Sequence, residues 1–292
     1  MAYRLKGRSI PKDLRRLVRK ELDATIDGLQ GAEVTERAIY EARKRIKKAR
    51  AILKLLKDAL GENYAAENSQ LRSVGQGLGR LRDPEAMVET LDAIRGRCST
   101  VISYAIKQRV ARGLRSRHYQ ARQSAPDVAR HAVGILKRAR KTLPDEVAKA
   151  GNLAAVRKGL ASVYKQSRAA LEALTLDADA VAFHTWRRRV KEHWYHVRLF
   201  EGRHPAPRSR ARSLRALEKE LGEEHNLAML NDVLLKNPGR FGDARTTDLV
   251  LGCIQKRQRV LRQQALARGR RLFVAKPKEV EAEVKAWWRG RQ

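Results

Sequence analysis

The pattern of apolar and polar positions in this chain is helical almost throughout. Alternation of apolar and polar residues, as in strands, never persists, whereas Ala, Leu, Arg, Lys and Glu dominate and favour helices. Pro11 predicts the start of a first helix that ends near Gly28. Thr35 predicts the start of a second helix, which we expect to end at Gly61. The sequence therefore predicts an all-α fold.

Proline and glycine delimit the later helices. A helix near 64–80 is expected to end or bend at the cluster of Gly75, Gly77 and Gly79, and Asp83-Pro84 indicates the next start. The remaining helices are expected near 97–122, 127–141, 153–174, 178–201, 208–236 and 244–273, with a short one after Pro277. Each half of the chain thus contains about four main helices, which is enough for a four-helix bundle.

One charged helical motif occurs twice. Residues 40–47 (YEARKRIK) are echoed by residues 184–191 (HTWRRRVK), 144 residues later. A second pair, 78–83 (LGRLRD) and 221–226 (LGEEHN), is separated by 143 residues. Two landmarks at nearly the same period indicate one structural unit used twice. We therefore expect two helical-bundle repeats, at residues 1–143 and 144–292.

The cations of the motif lie on one face of its helix. At about 100° per residue they form a stripe beside the apolar stripe and flank the buried seam. The stripe consists of Tyr40, Arg43, Lys47, Arg50 and Lys54 in the first copy and of His184, Arg187, Lys191 and Arg198 in the second. Between Arg37 and Lys57 there are nine Lys or Arg residues and one acid, so like charges repel one another. A bound anion would offset this repulsion, and the duplication predicts a two-sided anion site.

The net charge points to a polyanionic partner. The chain has 64 Lys and Arg residues against 32 Asp and Glu, a formal charge of +32, which raises self-repulsion in the folded state. Nucleic acid, an anionic membrane surface and inorganic polyphosphate could each neutralise it. Hydrophobic residues make up 42% of the chain, enough for packed cores. No segment has the roughly 20 apolar residues of a membrane span and no signal peptide is visible, so we expect a cytoplasmic protein.

Further cations and one histidine are candidates for the same site. The additional cations are Arg80, Arg82, Arg112, Arg259 and Arg262. His184 has no nucleophile or carboxylate at a diagnostic spacing, so we expect it to contact the anion or to cap a helix. His193 and His196 are expected in the core or on the surface, because no further metal ligand accompanies them. No metal and no cofactor are expected.

The chain contains the motif His-x-x-Arg-x-Arg-x-Lys, followed by Leu-Gly and an Asp or Asn, in two related copies. This duplicated pattern resembles the CHAD family (conserved histidine α-helical domain). The resemblance implies two four-helix bundles related by a pseudo-two-fold axis, a basic central cavity, and binding of inorganic polyphosphate, in some bacteria at polyphosphate granules. The residues that it implies are Arg43, Arg45, Lys47, Lys48 and Arg50 in the first repeat and His184, Arg187, Arg189 and Lys191 in the second. The chain departs from the motif at Tyr40, where the family has histidine, and at Glu192.

Three functions are compatible with the sequence. Non-enzymatic polyphosphate binding is favoured by the motif. Nucleic-acid binding is the alternative, but aromatic residues make up only 5% of the chain and no helix-turn-helix or zinc-finger spacing is visible. A polyphosphate hydrolase or kinase is a third possibility, which we do not expect. Competition between duplex nucleic acid and polyphosphate would separate the first two.

Overall fold

The computed structural model describes residues 3–7, 9–31 and 33–290, and all regular secondary structure in these ranges is helical. The eleven α-helices in them are α1 Ile10–Leu29, α2 Glu36–Leu55, α3 Lys57–Leu60, α4 Asn63–Arg97, α5 Tyr104–Gln123, α6 Ala125–Ala150, α7 Leu153–Glu172, α8 Ala180–Arg198, α9 Pro205–Lys236, α10 Ala244–Leu272 and α11 Pro277–Arg289. A short 3₁₀ turn, Pro238–Arg240, connects α9 to α10. The predicted all-α fold is confirmed.

Side-chain caps explain why several predicted helices begin where they do. The hydroxyl of Ser9 accepts a hydrogen bond from the N–H of Lys12, and Pro11 occupies the first turn of α1. The Thr35 hydroxyl accepts from the N–H of Ala38 at 3.2 Å and caps α2 in the same way. These short polar caps satisfy N–H groups that have no partner inside the helix.

Two predicted breaks do not occur. α4 continues through Pro84 and α6 continues through Pro144, although each proline removes one backbone hydrogen bond. Both prolines are buried, and buried residues on either side keep the helical spacing, so tertiary packing outweighs the lost bond. The expected boundary between residues 143 and 144 consequently lies inside α6.

The second predicted helix ends earlier than expected. α2 stops at Leu55, and the separate turn α3 carries the chain to Gly61, whose φ of 56° suits glycine. The backbone of α7 lies against the last turn of α2. The contact is so close that a Cβ atom added at Gly159 would lie 1.7 Å from the Leu55 carbonyl oxygen. Glycine at position 159 therefore allows a helix from the second half of the chain to pack on the end of α2.

The hydrophobic residues form two clusters, and both halves of the chain contribute to each. The larger cluster joins α1, α2, α6, α7, α8 and α11 with the N-terminal parts of α4 and α9 and the C-terminal part of α10. The smaller joins α5 with the C-terminal parts of α4 and α9 and the N-terminal part of α10. The two halves thus share their cores, and the arrangement as two bundles related by an internal repeat stays a prediction.

The two motif helices, α2 and α8, pack on each other at the centre of the molecule. His196 of α8 is fully buried, and its Nε2 donates a hydrogen bond to the carbonyl oxygen of Ala51 in α2 at 2.7 Å. Burial lowers the pKa of His196 to about 4. His193 is also a core residue and packs edge-on against Tyr164. None of the helices in the described ranges is long and apolar enough to span a membrane.

Candidate functional site

A cavity of about 940 Å³ lies between α2 and α8 and extends to α4 and α9. Two of these helices come from each half of the chain. Basic residues dominate its lining: Arg43, Lys44, Lys47, Arg82, Arg187, Lys191, Arg198, Arg212, Arg215 and Lys219. Four acidic residues also line it: Asp83, Glu89, Glu201 and Glu218. Ten cations against four carboxylates give the lining an excess of positive charge.

The glycines of the two Leu-Gly elements lie beside the motif arginines. A Cβ atom added at Gly79 would meet Nη2 of Arg43 at 3.4 Å, and one added at Gly222 would meet Nε of Arg187 at 3.9 Å. Arg43 also donates to the Gly79 carbonyl oxygen at 3.3 Å and to the Asp83 carboxylate at 2.9 Å. The same arginine-over-glycine contact therefore occurs in both halves, as a duplicated unit would produce.

Four cations from the motif helices form the inner part of the cavity, which we call the floor: Arg43, Lys47, Arg187 and Lys191. The side chains of Arg43, Arg187 and Lys191 are only 16 to 21% exposed. Burial lowers the pKa of Arg187 and of Lys191, and the Glu218 carboxylate acts against this effect in both. The floor therefore holds several cations at a high electrostatic cost.

Lys47 is the floor cation that no counter-ion neutralises. It forms no hydrogen bond or ion pair with any residue in the described ranges, and it is partly buried. Burial, together with the nearby cations Lys191, Arg43 and Arg187, lowers its pKa to about 7, although the Glu218 carboxylate opposes this effect. Nε of Arg187 is buried and likewise has no hydrogen-bond partner in the part of the chain described. Both groups are therefore hydrogen-bond donors without an acceptor among the described residues.

Two histidines face each other at the edge of the floor. Nδ1 of His184 lies 3.2 Å from Nδ1 of His225, so one ring donates a hydrogen bond and the other accepts it. Burial and the neighbouring Arg187 lower the pKa of both rings, that of His225 to about 3. At neutral pH the pair is therefore uncharged and offers polar, hydrogen-bonding edges without adding to the repulsion.

Three exposed cations of α9 form the outer part of the cavity, which we call the rim: Arg212, Arg215 and Lys219. None of them makes an ion pair within the described residues. The sequence analysis missed them, although their spacing places them on one helix face, opposite the buried Leu214, Leu217 and Leu221. That regular spacing is the signal that could have identified them.

Seven of the sixteen residues proposed from the sequence line this cavity: Arg43, Lys47, Arg82, His184, Arg187, Lys191 and Arg198. Arg82 donates to the Glu89 carboxylate at 2.8 Å. Arg198 stacks over the ring of Trp194 with 4.8 Å between the guanidinium carbon and the ring centroid. The structure thus brings together cations from both motif helices, together with Arg82 of α4.

The other nine lie elsewhere. Arg45 and Lys48 bind Glu21 at 3.4 and 3.0 Å, because they face α1. Arg189 binds Glu192 at 3.0 Å, and Arg262 binds Glu224 at 2.9 Å. Two more are at the C-terminal end of α2, where α7 and α8 pack: Arg50, which donates to Asn68 at 3.0 Å, and Lys54, which lines a separate cavity of about 340 Å³. The remaining three are exposed on the surface: Arg80, Arg112 and Arg259.

In the described part of the chain, no group of three or more His, Cys, Asp or Glu side chains is arranged so that it could hold a metal ion. The site is therefore described by its cations and polar groups. The cations of its floor are partly buried, and the charged side chains of its rim extend into solvent.

The comparisons with known proteins agree with this architecture. The family model for the CHAD domain matches residues 13–235. The CHAD domain from the plant Ricinus communis superposes with a TM-score of 0.59 and 19% identity, over 91% of this chain and 89% of that one. PptA from Streptomyces chartreusis superposes with a TM-score of 0.61 and 15% identity, over 91% of this chain and 100% of that one. Among curated proteins no sequence matches significantly.

Proposed function

The chain belongs to the CHAD domain family, and from this premise we propose that it binds inorganic polyphosphate in the cavity between α2 and α8. The family is associated in general with binding of polyphosphate and triphosphate. The distribution of charge supports the narrower proposal that a long phosphate polymer binds in this particular cavity. A binding experiment tests this proposal.

The observation that carries the proposal is the unpaired ammonium of Lys47. A partly buried lysine among three other cations raises the free energy of the unliganded protein. A phosphate group bound there would accept hydrogen bonds from Lys47 and from Nε of Arg187, which lacks a partner. Bound anion would therefore relieve the repulsion that the folded chain otherwise sustains.

The mixture of cations suits a flexible polymer. Guanidinium groups such as that of Arg187 donate in a planar fork to two phosphate oxygens, whereas lysine acts as a point charge in many directions. The floor can hold some phosphate groups tightly, while the exposed rim can follow the rest of the chain with little geometric demand. This combination favours a repetitive polyanion over a small ligand with one required pose.

The experiment compares two fourfold variants with equal loss of charge. In the floor variant Arg43, Lys47, Arg187 and Lys191 become Ala; in the matched control the exposed Arg80, Arg112, Arg115 and Arg259 become Ala. We expect the floor variant to lose at least about 100-fold in affinity for long-chain polyphosphate by calorimetry, because it loses desolvated charge pairs. The control should lose less than about tenfold, since exposed charges are screened. Equal losses in two folded variants would indicate a diffuse surface instead.

Nucleic acid is the competing ligand class. Both classes predict steep salt dependence, so salt alone does not separate them. Duplex DNA or RNA is added to the polyphosphate complex at equal phosphate concentration. We expect little displacement, because a stiff duplex cannot bend into the cavity as a flexible phosphate chain can. Efficient displacement would contradict the proposal.

We also propose that binding proceeds without catalysis and takes place in the cytoplasm, at polyphosphate granules where a cell forms them. His184 is hydrogen-bonded to His225, and Glu218, the most buried acid of the cavity, is engaged by Lys191. Incubation with polyphosphate and Mg²⁺ should therefore release no orthophosphate. Release that disappears in a His184→Ala variant would assign the chain to an enzyme class.

A further inference from the structure

Glu218 places a carboxylate inside the floor. It lies on α9, and its side chain is 16% exposed, compared with 32 to 60% for the other three acids of the cavity. Its Oε1 accepts a hydrogen bond from the ammonium of Lys191 and lies 3.9 Å from Nη2 of Arg187. It is thus the most buried acid of the cavity and contacts two of the four floor cations.

The negative charge of Glu218 affects the whole floor. It favours the charged forms of Lys47, Arg187 and Lys191, in each case opposing the effect of burial on the pKa. It also contributes to raising the pKa of Tyr195, which lines the same cavity. An anion that enters the floor would feel the same charge as a repulsion.

A carboxylate is not required at this place by the helix packing. Glu218 stands three residues before Leu221, and the residue three before the corresponding Leu78 is Gly75. A Cβ atom added at Gly75 would point at the side chain of Ile46, a residue of α2, with 3.6 Å between them. Of the two floor cations of that half, Arg43 pairs with Asp83, whereas Lys47 has no counter-ion in the described residues. The two halves therefore differ in whether a carboxylate pairs with the motif lysine.

Carboxylate oxygens and phosphate oxygens satisfy ammonium and guanidinium groups in the same way. We propose that Glu218 is a built-in competitor for the anion: it holds Lys191 and Arg187 in the empty cavity and must give up Lys191 when a phosphate group binds. This inference rests on the proposed function. It assigns Glu218 the role of lowering the affinity and of making the half built on α8 the weaker half of the site.

The test replaces the carboxylate by its neutral isostere, Glu218→Gln, and uses Glu172→Gln as the matched control. Glu172 does not line the cavity, and its side chain is 60% exposed and pairs with Arg168. We expect Glu218→Gln to bind long-chain polyphosphate about tenfold more tightly, the effect of one charge a few ångströms away in a partly solvated cavity. Glu172→Gln should change the affinity by less than about twofold.

A second readout separates competition from a merely structural role. Calorimetry in buffers of different ionisation enthalpy counts the protons taken up on binding. With the nearby carboxylate gone, the pKa of Lys47 falls, so less of the free protein carries this proton. The Glu218→Gln variant should therefore take up more protons than wild type near pH 7. A change in packing alone would not alter this number.

The outcomes distinguish the two proposals. Wild type that does not bind polyphosphate overturns the proposed function. Wild type that binds, together with a folded Glu218→Gln variant that binds equally or more weakly, overturns only the role of Glu218 and would identify it as an organiser of Lys191. If Glu218→Gln does not fold, Glu218→Asp withdraws the carboxylate by one methylene group. A smaller gain in affinity supports the role, and no gain overturns it.

Discussion

The two motif helices carry the same cations at the same spacing, yet they present them in different states. On α8, Lys191 and Arg187 share the carboxylate of Glu218. On α2, Arg43 pairs with Asp83 at 2.9 Å, and Lys47 has no counter-ion within the described residues. The half with the unpaired lysine is the more demanding one electrostatically and the one best prepared for an anion.

The difference originates on the neighbouring helices, α9 and α4, and not in the motif itself. α9 supplies Glu218 to the cations of α8, whereas α4 has Gly75 at the corresponding place beside α2. The motif histidine differs in a similar way. His184 is paired with His225 beside the floor, whereas Tyr40 is 51% exposed, with Arg82 over its ring. Two copies of one motif therefore have different ion-pair partners because their neighbouring helices differ.

Among the single substitutions, the largest loss of affinity should come from removing the unpaired cation. Lys47→Met keeps the length of the side chain and removes its charge. We expect it to weaken polyphosphate binding by about 2 kcal/mol, or about 30-fold, because this charge has no competing partner to release. Calorimetric titration with polyphosphate of one chain length measures the change.

The matched control on the other half is the double variant Lys191→Met/Glu218→Gln. It removes one cation and one carboxylate, so the net charge of the floor is unchanged. Its affinity should stay within about threefold of wild type. Equal losses of affinity in the Lys47 variant and the double variant would show that the two halves bind alike, which would contradict the proposed difference between α2 and α8.

A smaller effect is expected from making the halves alike. Gly75→Glu places a carboxylate beside α2, at the position in the sequence that corresponds to Glu218 beside α8. The added Cβ atom meets Ile46 at an ordinary contact distance of 3.6 Å, so the helix should tolerate it. We expect about tenfold weaker polyphosphate binding.

Gly75→Gln is the control for the Gly75→Glu variant, because it adds nearly the same volume without the charge. It should bind like wild type within about twofold. A loss of the same size in both variants would trace the effect to crowding at α4 instead of to charge.

The helices and part of the site followed from local rules, but the partners of the cations did not. Helix starts such as that of α1 depend on Ser9 and Pro11, which are adjacent in the sequence. The direction of Arg43 and Lys47 also follows from helix geometry. Whether a cation faces an acid or an empty space depends on residues far away along the chain. Glu21 thus neutralises Lys48, 27 residues on, and no local pattern indicates this.

The stripe of cations predicted for α2 does not line one cavity along its whole length. Helix geometry places Lys54 on the same stripe as Lys47, but α7 and α8 pack against the end of α2, and Lys54 lines a different cavity. In the opposite direction, the rim residues Arg212 and Arg215 belong to a helix that carries no copy of the motif. A periodic stripe indicates a face, and tertiary packing decides how much of that face remains open.

The smallest effect, a dependence on pH, tests whether Lys47 itself receives the phosphate. Its pKa of about 7 in the free protein means that about half of the molecules carry the proton at pH 7. A bound anion stabilises the ammonium form and raises this pKa, so binding takes up a proton and affinity falls as the pH rises. Between pH 6.5 and 7.5 the protonated fraction falls about threefold, and affinity for long-chain polyphosphate should fall by the same factor. His225, with its pKa near 3, does not titrate in this range. Lys47→Met should flatten the profile, and a profile of unchanged slope in that variant would place the titrating group elsewhere.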